Sequence, residues 1–349
     1  MSALATTRIP VRPLRIGHLE LSSPILIAPM VGITDAPFRA LARELGAGLV
    51  TTEMVAAEAV VRGVEASLKL LDFPRSVRPV AAQLVGRDPT VMAEAARVCV
   101  ERGAMAVDVN LGCPVRKVVS RGEGAALARD IDETARVFSA MVSAVDVPVT
   151  AKMRLGWDAH SINAPQLARA LQDVGVRAVT VHGRTRCQGY QGWADWDEIA
   201  RGKEAIDIPV IGSGDVREPA RMREWINAGR VDGVVVARGC LGNMWLIRQA
   251  VHQVETGERL PDCHFADRIA FTRRHLDMMC DYYGEPRALR IGRKYVAWTV
   301  KGCAGAARLR AMVQGMESRS ALDAILDAAQ AAGPAGREWF QPVFTSGEG

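Results

Sequence analysis

A (β/α)8 barrel followed by a small all-helical domain is the fold class this sequence predicts. Three observations carry it. Eight short, β-branched runs recur through the first ~250 residues. Helical patterns alternate with them, as βα units require. Near residue 255 the alternation stops and only helical periodicity continues.

The strands come first. The runs are 24–28, 49–52, 80–84, 106–110, 149–153, 178–182, 210–212 and 233–237. They lack apolar–polar alternation, which suits parallel strands buried on both faces. Helices fall between them. One at 38–45 follows Asp35-Ala36-Pro37, an N-cap with an early proline, and another at 89–102 follows Asp88 in the same way. Further helical segments cover 132–144, 165–174, 196–202 and 218–228. A doubly wound sheet would need a glycine-rich turn after its first strand. Ala28-Pro29-Met30-Val31-Gly32 contains no G-x-G-x-x-G, and the chain has no P-loop and no H-E-x-x-H. Residues 265–332 read as helices, broken by Gly-Glu-Pro at 284–286 and Lys-Gly-Cys-Ala-Gly at 301–305. The expected organisation is a barrel over 1–254, a helical domain over 255–335 and a polar tail over 336–349.

Composition narrows the class. The 349 residues are 49% hydrophobic and 24% charged, which excludes a disordered, collagenous or disulfide-stapled chain. Aromatics are only 5%, so the core must be aliphatic. The net charge of +5 permits an anionic partner without demanding one. Seven cysteines contain no C-x-x-C, so no metal site is expected, and their odd number favours reduced thiols in a cytoplasm. The first 24 residues, with Arg8, Arg12 and Arg15, do not read as a secretory signal, and no apolar run is long enough for a membrane span. Nothing calls for an obligate protein partner, and a monomer is expected.

In such a barrel the active site lies at the C-terminal ends of the strands. Reading those ends gives Pro29, Met30 and Val31 after the first strand, Gln83 at the third and Asn110-Leu111-Gly112-Cys113-Pro114 after the fourth. Lys152 and Arg154 lie on the fifth, and His182-Gly183-Arg184 ends the sixth. Ser213-Gly214-Asp215 follows the seventh, and Ala237-Arg238-Gly239 the eighth. Polar residues are ordinary where strands meet solvent, but that does not explain Lys152, which is enclosed by Val149-Thr150-Ala151 and Met153. The glycines of the last two loops, with Arg238, suit a phosphate group. Cys99, Cys280 and Cys303 read as small buried hydrophobes. Cys113 differs, because Gly112 and Pro114 lift it out of the strand and over the barrel mouth. A thiol is protonated near neutral pH and can act as a general acid.

Residues 286–316 hold Arg287, Arg290, Arg293, Lys294, Lys301, Arg308 and Arg310 and no acidic residue. Arg287, Arg290, Lys294 and Lys301 fall at helical steps on one face, near Trp298. A solvated basic face would look similar, but the absence of acid favours phosphate binding. Arg116, Lys117 and Arg121 form a second basic group on the loop after Cys113, where Gly122 and Gly124 suit a movable lid.

These blocks resemble a known family. Ala28 to Arg39 (APMVGITDAPFR), Val107 to Pro114 (VDVNLGCP) with Lys117-Val118 and Gly124-Ala125-Ala126-Leu127, Lys152 to Trp157 (KMRLGW), and His182 to Arg186 (HGRTR) with Tyr190, Gly192 and Ala194-Asp195-Trp196 are similar to the signatures of the tRNA-dihydrouridine synthases. They occur in family order across roughly 14–320. The region from Gly284 to Trp298 is most similar to the bacterial B-type subgroup. The resemblance implies an FMN-containing barrel with a helical tRNA-binding domain. It implies reduction of the C5–C6 double bond of uridines in tRNA with NADPH as reductant. Hydride would pass from reduced FMN N5 to uracil C6, and Cys113 would protonate C5. It further implies that Pro29, Met30, Val31, Gln83, Lys152, His182, Ser213, Gly214, Asp215, Ala237, Arg238 and Gly239 surround FMN. Asn110, Arg154, Arg184 and Glu53 become candidates for the uracil, and Arg287, Arg290 and Lys294 for tRNA. Two positions depart from the pattern: Ser213 stands where the family often has Asn, and Ala237 where it has Gly. A flavin dehydrogenase acting on a free pyrimidine shares the barrel but has no need of a basic helical domain. A non-enzymatic RNA-binding barrel has no need of Cys113, Lys152, His182 and Arg154 together.

Overall fold

The computed structural model describes residues 13–335. The expected tail at 336–349, and Arg8 and Arg12, lie outside the described residues. Among the described residues there are ten strands. An antiparallel hairpin of β1 (Leu14–Ile16) and β2 (Leu19–Leu21) precedes a closed barrel. The barrel strands are β3 (Ile25–Ile27), β4 (Leu49–Ala56), β5 (Val80–Val85), β6 (Ala106–Leu111), β7 (Val149–Arg154), β8 (Ala178–His182), β9 (Val210–Ser213) and β10 (Gly233–Val236). All pair in parallel, and β10 closes on β3. Each matches one of the eight expected runs. The fold class is as expected from the sequence.

Side-chain alternation builds two cores from one sheet. Along β6, Val107, Val109 and Leu111 pack outward into the helix-facing core, while Ala106 points into the barrel. Inside, Leu26, Leu49, Ala81, Ala106, Ala178, Ile211 and Val235 meet Leu14, Ile16, Leu19 and Leu21 of the hairpin. The hairpin therefore plugs the N-terminal end of the barrel with apolar side chains. Nearer the other end the inward residues turn polar. Asn110 lies opposite Lys152, Lys152 opposite Thr180, Arg154 opposite His182, and His182 opposite Ser213. That polarity gradient, not an opening in the sheet, makes one end of the barrel chemically useful.

The helix starts follow their caps. Asp35 accepts the Phe38 N–H at 2.9 Å and Asp88 accepts the Val91 N–H at 2.9 Å. Three differences concern boundaries. β4 runs on to Ala56 with a register shift between Thr51 and Met54, which puts Glu53 within the strand and not at its end. A helix at Trp245–Thr256 follows the last barrel strand. The helix Glu285–Thr299 stops before Lys301, so Lys301 is not on the face shared by Arg287, Arg290 and Lys294. Helices Phe265–Tyr283, Glu285–Thr299, Ala306–Gln314 and Arg319–Ala332 enclose a second core around Ile269, Leu289, Val296, Val313, Leu322 and Leu326. Met279, Ala288 and Tyr295 of the first two belong instead to the barrel's outer core. All seven cysteines are free.

Candidate active site

The polar end of the barrel opens into a cleft of about 110 Å3. Pro29, Met30, Lys152, His182, Ser213, Gly214, Asp215, Ala237, Arg238 and Gly239 all line it, as does Arg184. Val31 and Gln83 do not. Val31 is 67% exposed, because the loop after β3 turns its side chain to solvent. Gln83 is 1% exposed and lies within the barrel wall.

Charge dominates the cleft. Its lining carries Lys152, Arg184, Arg217 and Arg238 against one carboxylate, Asp215. Burial, reinforced by Arg154 and opposed by Asp108, pulls Lys152 down to about 8. Burial also drives His182 well below its ordinary value, and Lys152, Arg154, Arg184 and Arg238 add to the effect, so this imidazole is neutral at pH 7. Its Nδ1 faces Ser213 Oγ at 3.4 Å and its Nε2 faces Arg184 Nη1 at 3.4 Å. The Arg238 guanidinium stacks over the Tyr190 ring at 4.0 Å. Close packing demands the glycines here. Gly214 has φ +117°, and a β-carbon on it would lie 2.5 Å from Ala194 Cβ. One on Gly239 would lie 2.4 Å from the Val216 carbonyl oxygen.

Arg184 has a different task from the substrate contact expected of it. It is 0% exposed. Nη2 donates to both oxygens of Asp215 at 2.8 and 3.0 Å and to Gly192 O at 2.6 Å, and Nε donates to Gln191 O at 3.1 Å. Asp215 also accepts the Ala194 N–H at 2.8 Å. The pair is a strut that fixes the loop after β8 against the turn after β9. Removing one partner of such a buried pair leaves an uncompensated charge. Arg184→Met should therefore lower the unfolding free energy by about 3–5 kcal/mol, read from urea melts. A loss under ~1 kcal/mol would mean the strut carries no structural load.

The other substrate candidates are also committed. Asn110 Oδ1 accepts the N–H groups of Gly112 (3.1 Å) and Cys113 (2.8 Å), and its Nδ2 donates to Gln83 Oε1 (2.9 Å). Asn110 thus shapes the loop that presents Cys113. Arg154 donates from Nε to Gly112 O (3.0 Å) and from Nη1 to Thr185 O (2.9 Å) and Gly189 O (2.8 Å), tying the loops after β6 and β8 together. Glu53 accepts the Gly32 N–H, and Lys294 donates from Nζ to Gly32 O. Lys294 therefore grips the loop after β3 and does not stand free on the basic face. Arg287 lies over the Tyr283 ring at 4.9 Å, and both Arg287 and Arg290 are exposed. Arg293 donates to Met316 O and is structural. Cys113 is partly exposed, and Gly124 packs beside it: a β-carbon there would lie 3.2 Å from Cys113 Cβ.

Sequence reasoning missed Asp108 and Thr150, which lie inside the barrel beneath Lys152, and gave Tyr190 no role. Their signal was available: Asp108 alternates with Val107 and Val109, so it must face inward with Asn110.

Comparison with known proteins agrees with the geometry. The family described as Dihydrouridine synthase (Dus) matches residues 26–333. A Rickettsia bellii protein named "Probable tRNA-dihydrouridine synthase" is 43% identical over 301 residues, 86% of this chain and 92% of that one. The tRNA-dihydrouridine synthase B of Xanthomonas campestris is 40% identical over 312 residues, 88% of this chain and 93% of that one. Among solved structures, one described as "Crystal structure of TcOYE with pHBA" superposes with a TM-score of 0.55 at 12% identity, over 70% of this chain and 93% of its own. It shares the barrel fold alone. With the family matched across nearly all the described residues, this chain belongs to the dihydrouridine synthase family of tRNA-modifying oxidoreductases.

Proposed function

We propose that this chain reduces the C5–C6 double bond of uridines in tRNA, with FMN held in the cleft and NADPH as the reductant. The observation that carries the reading is one mouth that brings together a cationic, glycine-lined cleft and a partly exposed Cys113. The cleft residues fit a phosphorylated flavin. Arg238 and the backbone at Gly214 and Gly239 would hold the phosphate, and Lys152 would face the edge of the ring where negative charge develops on reduction. Neutral His182 adds a hydrogen-bonding group without further positive charge. When bound, the flavin would supply the hydride for uracil C6. Cys113 then gives its proton to C5, and the thiolate is reprotonated from solvent. Asn110 and Arg154 hold the Cys113 loop in place for that transfer. A uridine in folded tRNA must leave its stack to reach a site inside a barrel, and a basic surface around the mouth supports that.

The test is direct. The purified protein should be yellow and should form dihydrouridine in unmodified tRNA with NADPH, and it should not turn over free dihydroorotate. A preparation that cannot be loaded with FMN, or that prefers the free pyrimidine, would overturn the reading.

Arg287 and Arg290 are the exposed cations of the long basic helix and are proposed to contact tRNA phosphates. Replacing both by Ala should raise the tRNA dissociation constant and lower the salt slope by about one unit per lost contact. NADPH oxidation without RNA should stay at the parent rate. Unchanged tRNA affinity would return this face to plain solvation.

A further inference from the structure

A chain of hydrogen bonds runs from the barrel interior to the Cys113 loop, and every link has a direction. At its upper end two backbone N–H groups, of Gly112 and Cys113, converge on one side-chain atom of Asn110. Two donors require an oxygen there, so Asn110 must turn Nδ2 toward Gln83. That donor requires Oε1 of Gln83, at 2.9 Å, and Gln83 must then turn Nε2 inward. Nε2 in turn requires an acceptor, and Asp108 Oδ2 supplies it at 2.7 Å. The other Asp108 oxygen accepts from Thr150 Oγ1 at 2.6 Å. Gln83 itself is pinned by its N–H to Thr52 Oγ1 at 2.9 Å. All three polar side chains are held within the wall: Asp108 is 6% exposed, Gln83 1% and Thr150 8%. A buried carboxyl group is costly unless its oxygens find partners, and both Asp108 oxygens have one here.

We infer that Asp108 is a positioning residue: by presenting an acceptor to Gln83 it sets the orientation of the Gln83 and Asn110 amides, and through them the backbone of the loop that carries Cys113. Its bearing on catalysis rests on the acid role proposed for Cys113. The anchoring does not, and it is read without turnover.

The measurement is the alkylation rate of Cys113 by iodoacetamide in the full-length protein as purified, followed by mass spectrometry of the Cys113 peptide so that exposed Cys187 does not interfere. Asp108→Leu removes the acceptor and leaves Gln83 free to reverse. Cys113 alkylation should then rise about tenfold, the equivalent of one lost buried hydrogen bond. Asp108→Asn keeps the polarity: its Oδ1 accepts from Gln83 while its Nδ2 donates to the Thr150 hydroxyl, which can turn to accept. That variant should alkylate at the parent rate although the charge is gone. Gln83→Met cuts the chain one link higher and should match Asp108→Leu, and the double variant should be no faster than either single one. Asp108→Asn as reactive as Asp108→Leu would show that charge, not polarity, matters, and would overturn the inference. So would additive single effects. If Asp108→Leu does not fold, Gln83→Met at the parent rate overturns it and a tenfold rise supports it. Cys113→Ala kinetics test the acid role separately, so the two readings fail independently.

Discussion

Cys113→Ala should slow the oxidation of reduced flavin by tRNA by roughly 10²–10⁴-fold, the usual worth of a general acid. Flavin content, flavin reduction by NADPH and tRNA affinity should stay at the parent values. The split follows from position. Cys113 sits on the loop after β6, held by the Asn110 side chain, and does not line the cationic cleft. Its removal therefore leaves the groups proposed to hold FMN intact. Cys113→Ser should be nearly as slow, because an alcohol is a far weaker acid than a thiol. Single-turnover absorbance of the reduced flavin after mixing with tRNA checks all of this. Oxidation of Cys113→Ala at the parent rate would make the thiol a packing group. Loss of flavin in that variant would make it structural.

The second large effect is expected at Lys152. Lys152→Met keeps the length of the side chain and removes its charge at the base of the cleft. The purified variant should lose most of its FMN or reduce it at least tenfold more slowly, one lost charge-assisted hydrogen bond being worth about 1.5–3 kcal/mol. The pH dependence gives an independent reading. Burial holds the Lys152 ammonium at about 8, so in the free protein it is charged below that pH and loses its proton above it. A ring edge that accepts hydrogen bonds, and that gains negative charge on reduction, binds the charged form better and raises this value. FMN affinity should therefore be flat below about pH 8 and fall as pH rises beyond it, measured by titration calorimetry between pH 7 and 9. Lys152→Met should abolish the fall. An unchanged pH profile in the variant would remove Lys152 from the cofactor site.

How far the sequence could be read depended on how local the signal was. The eight barrel strands announced themselves through continuous β-branched runs, and Asp35 and Asp88 through cap chemistry. The β1–β2 hairpin escaped because it offers only Leu14, Ile16, Leu19 and Leu21, alternating with Arg15 and Glu20 around Gly17-His18. Two three-residue strands with period-2 alternation look like loop until the barrel they plug is present. At the site, the residues on the cleft wall were found because strand ends converge in this fold. The direction of each side chain was not. Arg184 and Lys294 are cations in a basic region, and composition cannot tell a buried strut or a loop clasp from a substrate contact. That distinction needs Asp215 and the Gly32 carbonyl, which are 31 and 262 positions away. Arg290, by contrast, is as exposed as its helical position implied.

The clasp on the loop after β3 has a practical consequence. Tyr283 donates its hydroxyl to Asp35 at 3.1 Å, Tyr295 donates to Ile33 O at 2.8 Å, and Lys294 reaches Gly32 O. The two long C-terminal helices thus hold a segment that begins at Pro29 and Met30 in the cleft. Anyone building chimaeras to transplant tRNA preference between relatives should treat residues 29–35 as part of the transplanted cassette. A hybrid cut only in the connection before Phe265 would set one parent's tyrosines against the other parent's loop. Its first symptom would be poor cofactor retention, easily mistaken for a failed exchange of RNA specificity.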